Sequence, residues 1–126
     1  RARPRRCGDR SFGAAPPVTW NDLLGRAALG HSRDMAERVY FDHHESDGSD
    51  AAERVARLGY RWSRVGENIA SGLGTPQAAV DGWISSPGHC ANLMNPNYTQ
   101  MGAAYAVNRK SEHGTLYWTQ VFATPK

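Results

Sequence analysis

Three short segments hold the side chains whose pattern most suggests acid–base or metal chemistry: Phe41-Asp42-His43, Gly66-Glu67-Asn68 and Trp83-Ile84-Ser85-Ser86-Pro87-Gly88-His89. They bring the imidazoles of His43 and His89 and the Glu67 carboxylate, with Asp42 beside His43, to a chain of 126 residues. Burying His43, Glu67 and His89 without partners would cost several kcal/mol, so a fold that gathers them must supply a wet cleft, mutual hydrogen bonds or a metal ion. If Ser86 caps a helix and Pro87 opens it, His89 lies in the first helical turn. The positive end of the helix dipole opposes protonation there, and neutral imidazole is the form that ligates.

The same segments argue against other chemistries. Ser86 precedes His89 by three residues, but a hydroxyl at a helix cap is engaged by backbone amides and reads as structural rather than as a nucleophile. No His-Glu-x-x-His motif occurs. The turn His43-His44-Glu45-Ser46-Asp47-Gly48 has the acidic look of a calcium loop, but Arg54 stands where the closing carboxylate belongs, so it reads as an acidic turn. Asn68 and Asn92 read as loop and cap hydrogen-bonders.

The elements that must position these groups are marked by their caps. Thr19 with Asp22, and Val18 with Leu23 as a hydrophobic staple, predict a helix over 20–40. Its stripe of Leu24, Ala28, His31, Met35 and Val39 turns His31 inward, as a satisfied core residue or on the floor of a cleft. Asp50 and Glu53 form a capping box for a second helix, with Ala51, Val55 and Leu58 inward and Gly59 ending it. Thr75 and Pro76 open a third with Val80, Trp83 and Ile84 on one side, and Ser86 and Pro87 a fourth. Strands are predicted over 64–70, 101–107 and 116–123, the last two joined by a polar turn over 108–114. Small residues at 102, 104 and 106 alternate with larger ones, which suits a sheet packed closely by helices on both faces: three layers, with helices and strands interleaved.

Composition bounds the function. The formal charge is +3, yet residues 1–10 carry five arginines against Asp9, and the remainder holds ten Lys or Arg against eleven Asp or Glu. A near-neutral body with one basic tail lacks the cationic stripe that phosphate backbones require, so no nucleic-acid partner is expected. The arginine-rich start reads as a solvated, disordered leader. No stretch of 18 apolar residues is present, so no membrane span is predicted, and the opening arginine points to a trimmed mature form. Cys7 and Cys90 are the two cysteines. Their even number points to a staple between leader and body, worth about 4–5 kcal/mol as a long closed loop, and to an oxidising compartment; two unrelated thiols are the other reading.

Six ordered motifs carry a resemblance: His31-Ser32-Arg33-Asp34-Met35-Ala36, Tyr40-Phe41-Asp42-His43, Gly66-Glu67-Asn68-Ile69-Ala70, the segment from Trp83 to His89, Asn95-Pro96-Asn97-Tyr98 and Tyr117-Trp118-Thr119-Gln120-Val121-Phe122. They resemble the bacterial, SCP-like extracellular branch of the CAP superfamily, which also includes cysteine-rich secretory, antigen 5 and pathogenesis-related 1 proteins. The resemblance spans roughly residues 17–122. It implies an α+β fold, a three-layer α-β-α sandwich with a central antiparallel sheet. The domain would occupy residues 17–126, and residues 1–16 would form a basic leader anchored by Cys7.

The family's cleft holds two histidines and two glutamates. The resemblance matches His43 and His89 to the histidines and Glu67 to the first glutamate, while the second falls at Ser86. It therefore implies a cleft of His43, Glu67, Ser86, His89 and the neighbouring His31. Zinc or another divalent cation would be held weakly by His43 and His89, because the missing carboxylate reduces the negative charge. The expected function is a secreted or periplasmic, monomeric binding module for that cation and a small apolar or peptide ligand. The alternative is a metal-dependent hydrolase in which His43 and His89 hold zinc and Glu67 is the catalytic base.

Overall fold

The structure is a computed structural model and describes residues 1–72, 74–110 and 115–126. Its central sheet is built on three long strands, β4 (Trp62–Ser71), β5 (Gln100–Asn108) and β6 (Thr115–Pro125), with a two-residue strand β3 (Thr19–Trp20) at one edge. The order is β3-β5-β6-β4. β6 pairs antiparallel with both neighbours, setting Val121 opposite Glu67 and Gly102, whereas β3 runs parallel to β5. All three predicted strands are present, each longer at its ends than the apolar pattern indicated. The predicted turn after β5 has residues 111–114 outside the described part.

Strand alternation sorts the sheet into two faces. On one lie Val65, Ile69, Tyr117, Val121 and Ala123, covered by helices α1 (Asp22–Arg38) and α2 (Ala51–Arg57) through Leu24, Ala28, Met35 and Val55. On the other lie Ala70 and Trp118, covered by Ala79 and Trp83 of α3 (Pro76–Ile84). Tyr98 stacks on Phe122 on this face, just after α4 (Pro87–Met94). Helices on both sides of one sheet make the three-layer α-β-α sandwich. Gly102 permits the close approach of α1, since a Cβ there would collide with the backbone of Leu24 and Gly25.

The caps carry most of the helix boundaries. Asp50 and Glu53 form the capping box of α2, and Gly59 follows its end at φ +94°. Thr75 Oγ1 accepts from Ala78 N at 3.1 Å, with Pro76 opening α3. Three expectations are corrected. Asn21, not Thr19, caps α1, accepting from the Leu23 and Leu24 amides, because Thr19 and Trp20 pair as a strand with Gln100 and Met101. The buried stripe of α1 ends at Met35; Val39 is exposed and terminates the helix at φ +56°. Leu58 is exposed, and the inward positions of α2 are Val55 and the charged Arg54.

The arginine-rich start is ordered. β1 (Arg5–Cys7) and β2 (Arg10–Phe12) form a hairpin, and Cys7 is bonded to Cys90 of α4 with Cα atoms 5.5 Å apart. The Arg1 guanidinium donates to the carbonyls of Leu93, Asn95 and Tyr98 at 2.9–3.3 Å. Those carbonyls lie at and beyond the end of α4, where backbone acceptors lack intrahelical partners, so a cation is favoured there. The expectation of a disordered leader fails because nothing local in the sequence shows this distant partner.

Candidate functional site

Glu67 stands in the middle of β4 with its side chain on the α1–α2 face, 8% exposed. A carboxylate so placed needs partners, and α2 provides one. Arg54, 5% exposed, sets Nη1 2.7 Å from Glu67 Oε2 and Nη2 3.4 Å from Oε1. The same Nη2 donates to the carbonyl of His43. His43 Nδ1 lies 3.0 Å from Glu67 Oε1; facing an acceptor that carries no hydrogen, Nδ1 is the protonated nitrogen. Its Nε2 makes no hydrogen bond among the described residues and belongs to a ring that is 52% exposed. A histidine oriented by a carboxylate, with its second nitrogen free, is the arrangement common to metal-ligating imidazoles.

His31 is fully buried beneath this pair. Its Nε2 donates to the Asp42 carbonyl at 2.8 Å, which ties α1 to the loop bearing His43. His31 Nδ1 and Arg54 Nε are the buried side-chain nitrogens without a hydrogen-bond partner among the described residues, and both approach Glu45 Oε1, at 3.5 and 3.4 Å. His31 is a core residue, with one ring nitrogen bonded to the Asp42 carbonyl and the other lacking a hydrogen-bond partner among the described residues.

His89 lies on the other face of the sheet from Glu67. It lies in the first turn of α4, with Nδ1 2.9 Å from Ser86 Oγ. Ser86 makes no side-chain cap bond, which corrects the expectation that backbone amides occupy its hydroxyl. Asn68, next to Glu67 and therefore on the opposite face, is fully buried and donates to the His89 carbonyl at 3.2 Å. Asn92 donates to Asn68 Oδ1 at 2.9 Å and to the Glu67 carbonyl at 3.2 Å. These asparagines are bridges between α4 and β4, not loop and cap residues.

Electrostatics follows from these contacts. Burial pushes the Glu67 carboxyl up, but the hydrogen bonds from His43 and Arg54 and the nearby positive charges outweigh it and hold it below the usual range. The bond to Glu67 raises His43 against the opposing effect of burial. Burial lowers His31, and Arg54 adds to that. His89 is lowered by burial and by the charge of His43, so the two imidazoles influence each other electrostatically.

Arg54 and Glu45 are the members of this network that sequence reasoning missed as such. The signal was present: Arg54 occupies the i+3 position from Ala51 and the i−4 position from Leu58, on the stripe assigned to the core. Among the described residues no group of three or more His, Cys, Asp or Glu side chains is placed to hold a metal ion. Two surface grooves, of about 640 and 820 Å³, lie elsewhere: one along α1 and β5, the other around Tyr60 and Trp62.

The three-layer sandwich is the fold of the SCP-type domains to which this structure is similar. The chain belongs to the cysteine-rich secretory protein (CAP) family, whose profile matches residues 10–122. It is 35% identical over 106 residues to the uncharacterized protein YkwD of Bacillus subtilis, covering 84% of this chain and 39% of that protein. An extracellular protein of Bacillus anthracis containing an SCP domain superposes with a TM-score of 0.76 at 30% identity, over 89% of this chain and 35% of the other. An outer surface protein of Borrelia burgdorferi gives a TM-score of 0.79 at 20% identity, over 89% and 80% of the two chains, and shares the fold. This chain thus spans less than half the length of its two Bacillus relatives.

Proposed function

We propose that this chain is a secreted binding module whose ligand site is the rim formed by His43 and His89, taking a divalent cation weakly and an apolar or peptide ligand beside it. The observation that carries the reading is the commitment of Glu67. Its carboxylate is already engaged by Arg54 at 2.7 Å and His43 at 3.0 Å and held ionised. A carboxylate of lowered pKa is a weak proton acceptor at neutral pH, so Glu67 acts as an orienting group for His43 rather than as a base. This weighs against the hydrolase alternative.

The residues fit a divalent cation in donor chemistry: Glu67 takes the Nδ1 hydrogen of His43 and leaves its Nε2 for a ligand, and His89 does the same in the tautomer whose Nδ1 donates to Ser86 Oγ. Two protein ligands are fewer than the three of catalytic zinc sites, so binding is weak. A bound cation would supply a Lewis-acidic tether for a ligand carboxylate or carbonyl. Val39 and Phe41, exposed within four residues of His43 in the chain, would supply apolar surface for the ligand. Secretion is supported by the Cys7–Cys90 bond, which persists in oxidising compartments, and by the extracellular relative. No helix among the described residues is long and apolar enough to cross a membrane.

Zinc calorimetry on the chelator-stripped protein tests the assignment. Weak binding is expected that disappears in the His43→Ala, His89→Ala double variant; equal binding by that variant would put the site elsewhere. Ser86→Glu should tighten binding with little loss of stability, because the Ser86 hydroxyl caps no amide. Zinc-dependent peptide hydrolysis abolished by Glu67→Gln, with zinc affinity retained, would establish the hydrolase instead.

A further inference from the structure

We infer that the open edge of β5 is a docking strip for an extended acidic peptide, which would add to the sheet in line with β3. β3 is two residues long and covers Gln100 and Met101 alone. The Met101 carbonyl accepts from Asn21 N at 2.9 Å, so the odd-numbered residues of β5 aim their backbone groups at this edge. Strand alternation then points the N–H and C=O of Ala103, Tyr105 and Val107 the same way. Among the described residues no strand pairs with them there. An edge of this length is a ready template for another chain.

Its surroundings select the partner. A groove of about 640 Å³ follows the strand, flanked by Arg33 and Glu37 of α1 and by Arg109 and Lys110 beyond the strand end. Among the described residues that line it, three cations against one anion favour an acidic segment. A second copy of this chain would bring its own Arg33, Arg109 and Lys110 up to the same charges, which disfavours self-pairing. Tyr105 and Val107, 53% and 39% exposed, offer apolar contact on the sheet face away from α1. The fitting ligand alternates acidic residues toward Arg33 with apolar ones toward Tyr105, so main-chain bonds give affinity and alternate side chains give specificity.

The probe is the blocked peptide Thr-Glu-Val-Glu-Val-Glu-Thr, titrated into isotope-labelled protein and followed by amide NMR. Saturable shifts and slowed exchange are expected at Ala103, Tyr105 and Val107. Methylating the edge-facing peptide nitrogens should weaken binding about tenfold or more, as should the Arg33→Glu, Arg109→Glu double variant, each a loss of about 1.4 kcal/mol. A peptide with Lys in place of Glu should not bind. The inference is overturned if residues 103–107 do not respond, if the methylated peptide binds as well as the parent, or if sedimentation shows the free protein pairing with itself through this edge.

Discussion

Replacing Arg54 by Met isolates the buried pair that holds the candidate site together. Arg54 and Glu67 are 5% and 8% exposed, and removing one partner of a buried ion pair typically costs about 3–5 kcal/mol because the other charge stays buried. His43 still donates to Glu67 in the variant, so the loss should fall near the lower end, about 3 kcal/mol at pH 7. With a urea m-value of about 1.5 kcal/mol/M, the unfolding midpoint should drop by about 2 M, read by tryptophan fluorescence. The pH dependence supplies the sign. A carboxyl whose folded pKa is depressed stabilises the protein above its unfolded pKa, about 4.3, and loses that contribution as pH falls through the folded value. Without Arg54 the Glu67 pKa rises, so protonation relieves the buried charge at higher pH. The difference between the two proteins should therefore shrink as pH is lowered from 7 toward 4. Arg54→Lys, which keeps the charge but loses the planar fork and the bond to the His43 carbonyl, should lie between them. A deficit under about 1 kcal/mol at pH 7, or one that grows on acidification, would refute the reasoning.

Four further outcomes are expected. Proton NMR titration should place His43 above and His89 below the ordinary imidazole value of about 6.5; the stabilising contact of protonated His43 is then present at low pH and lost as pH rises through its folded pKa, and the reverse order of the two would contradict the geometry. Val39→Gly should raise stability by about 1 kcal/mol in urea unfolding, because a β-branched residue at φ +56° is strained where glycine is not; a loss of that size would show Val39 packing as well. Arg1→Ala should lower stability by about 1–2 kcal/mol through four lost carbonyl bonds, to Pro16, Leu93, Asn95 and Tyr98, and an unchanged melting temperature would mean the guanidinium is not held there. Asn68→Ala should cost about 2–4 kcal/mol by stranding the His89 carbonyl and Asn92, and should shift the His89 titration more than that of His43; equal shifts would argue against a specific tie to α4.

What could be read from the sequence was local. Asp50 with Glu53 and Thr75 with Pro76 each carry their helix start within four residues, because cap chemistry is satisfied by the next amides along the chain. Thr19 failed as a cap because its fate is set by Gln100, across a parallel pairing that leaves no mark nearby. Arg1 failed for a related reason: a guanidinium on its own reads as solvated, and its acceptors lie far along the chain at Leu93, Asn95 and Tyr98. His43, Glu67 and His89 stood out as residue types, but spacing could not say that Glu67 would be consumed by an ion pair. Ser86 went astray because the cap position was right and the direction of its hydroxyl was not.

The site is organised by two consecutive residues of one strand. Because side chains alternate along β4, Glu67 and Asn68 address opposite layers: Glu67 fixes the loop of His43 through Arg54, and Asn68 fixes the start of α4 through the His89 carbonyl. The two imidazoles are therefore referenced to adjacent backbone positions although they belong to different layers of the sandwich. Asn92 closes the arrangement by donating both to Asn68 and to the Glu67 carbonyl, and the Cys7–Cys90 bond anchors the residue after His89. Each histidine is thus held by its backbone carbonyl, His43 through Arg54 and His89 through Asn68. Such a frame fixes the backbone of both histidines, while the Glu67 carboxylate is spent on holding His43 and Arg54.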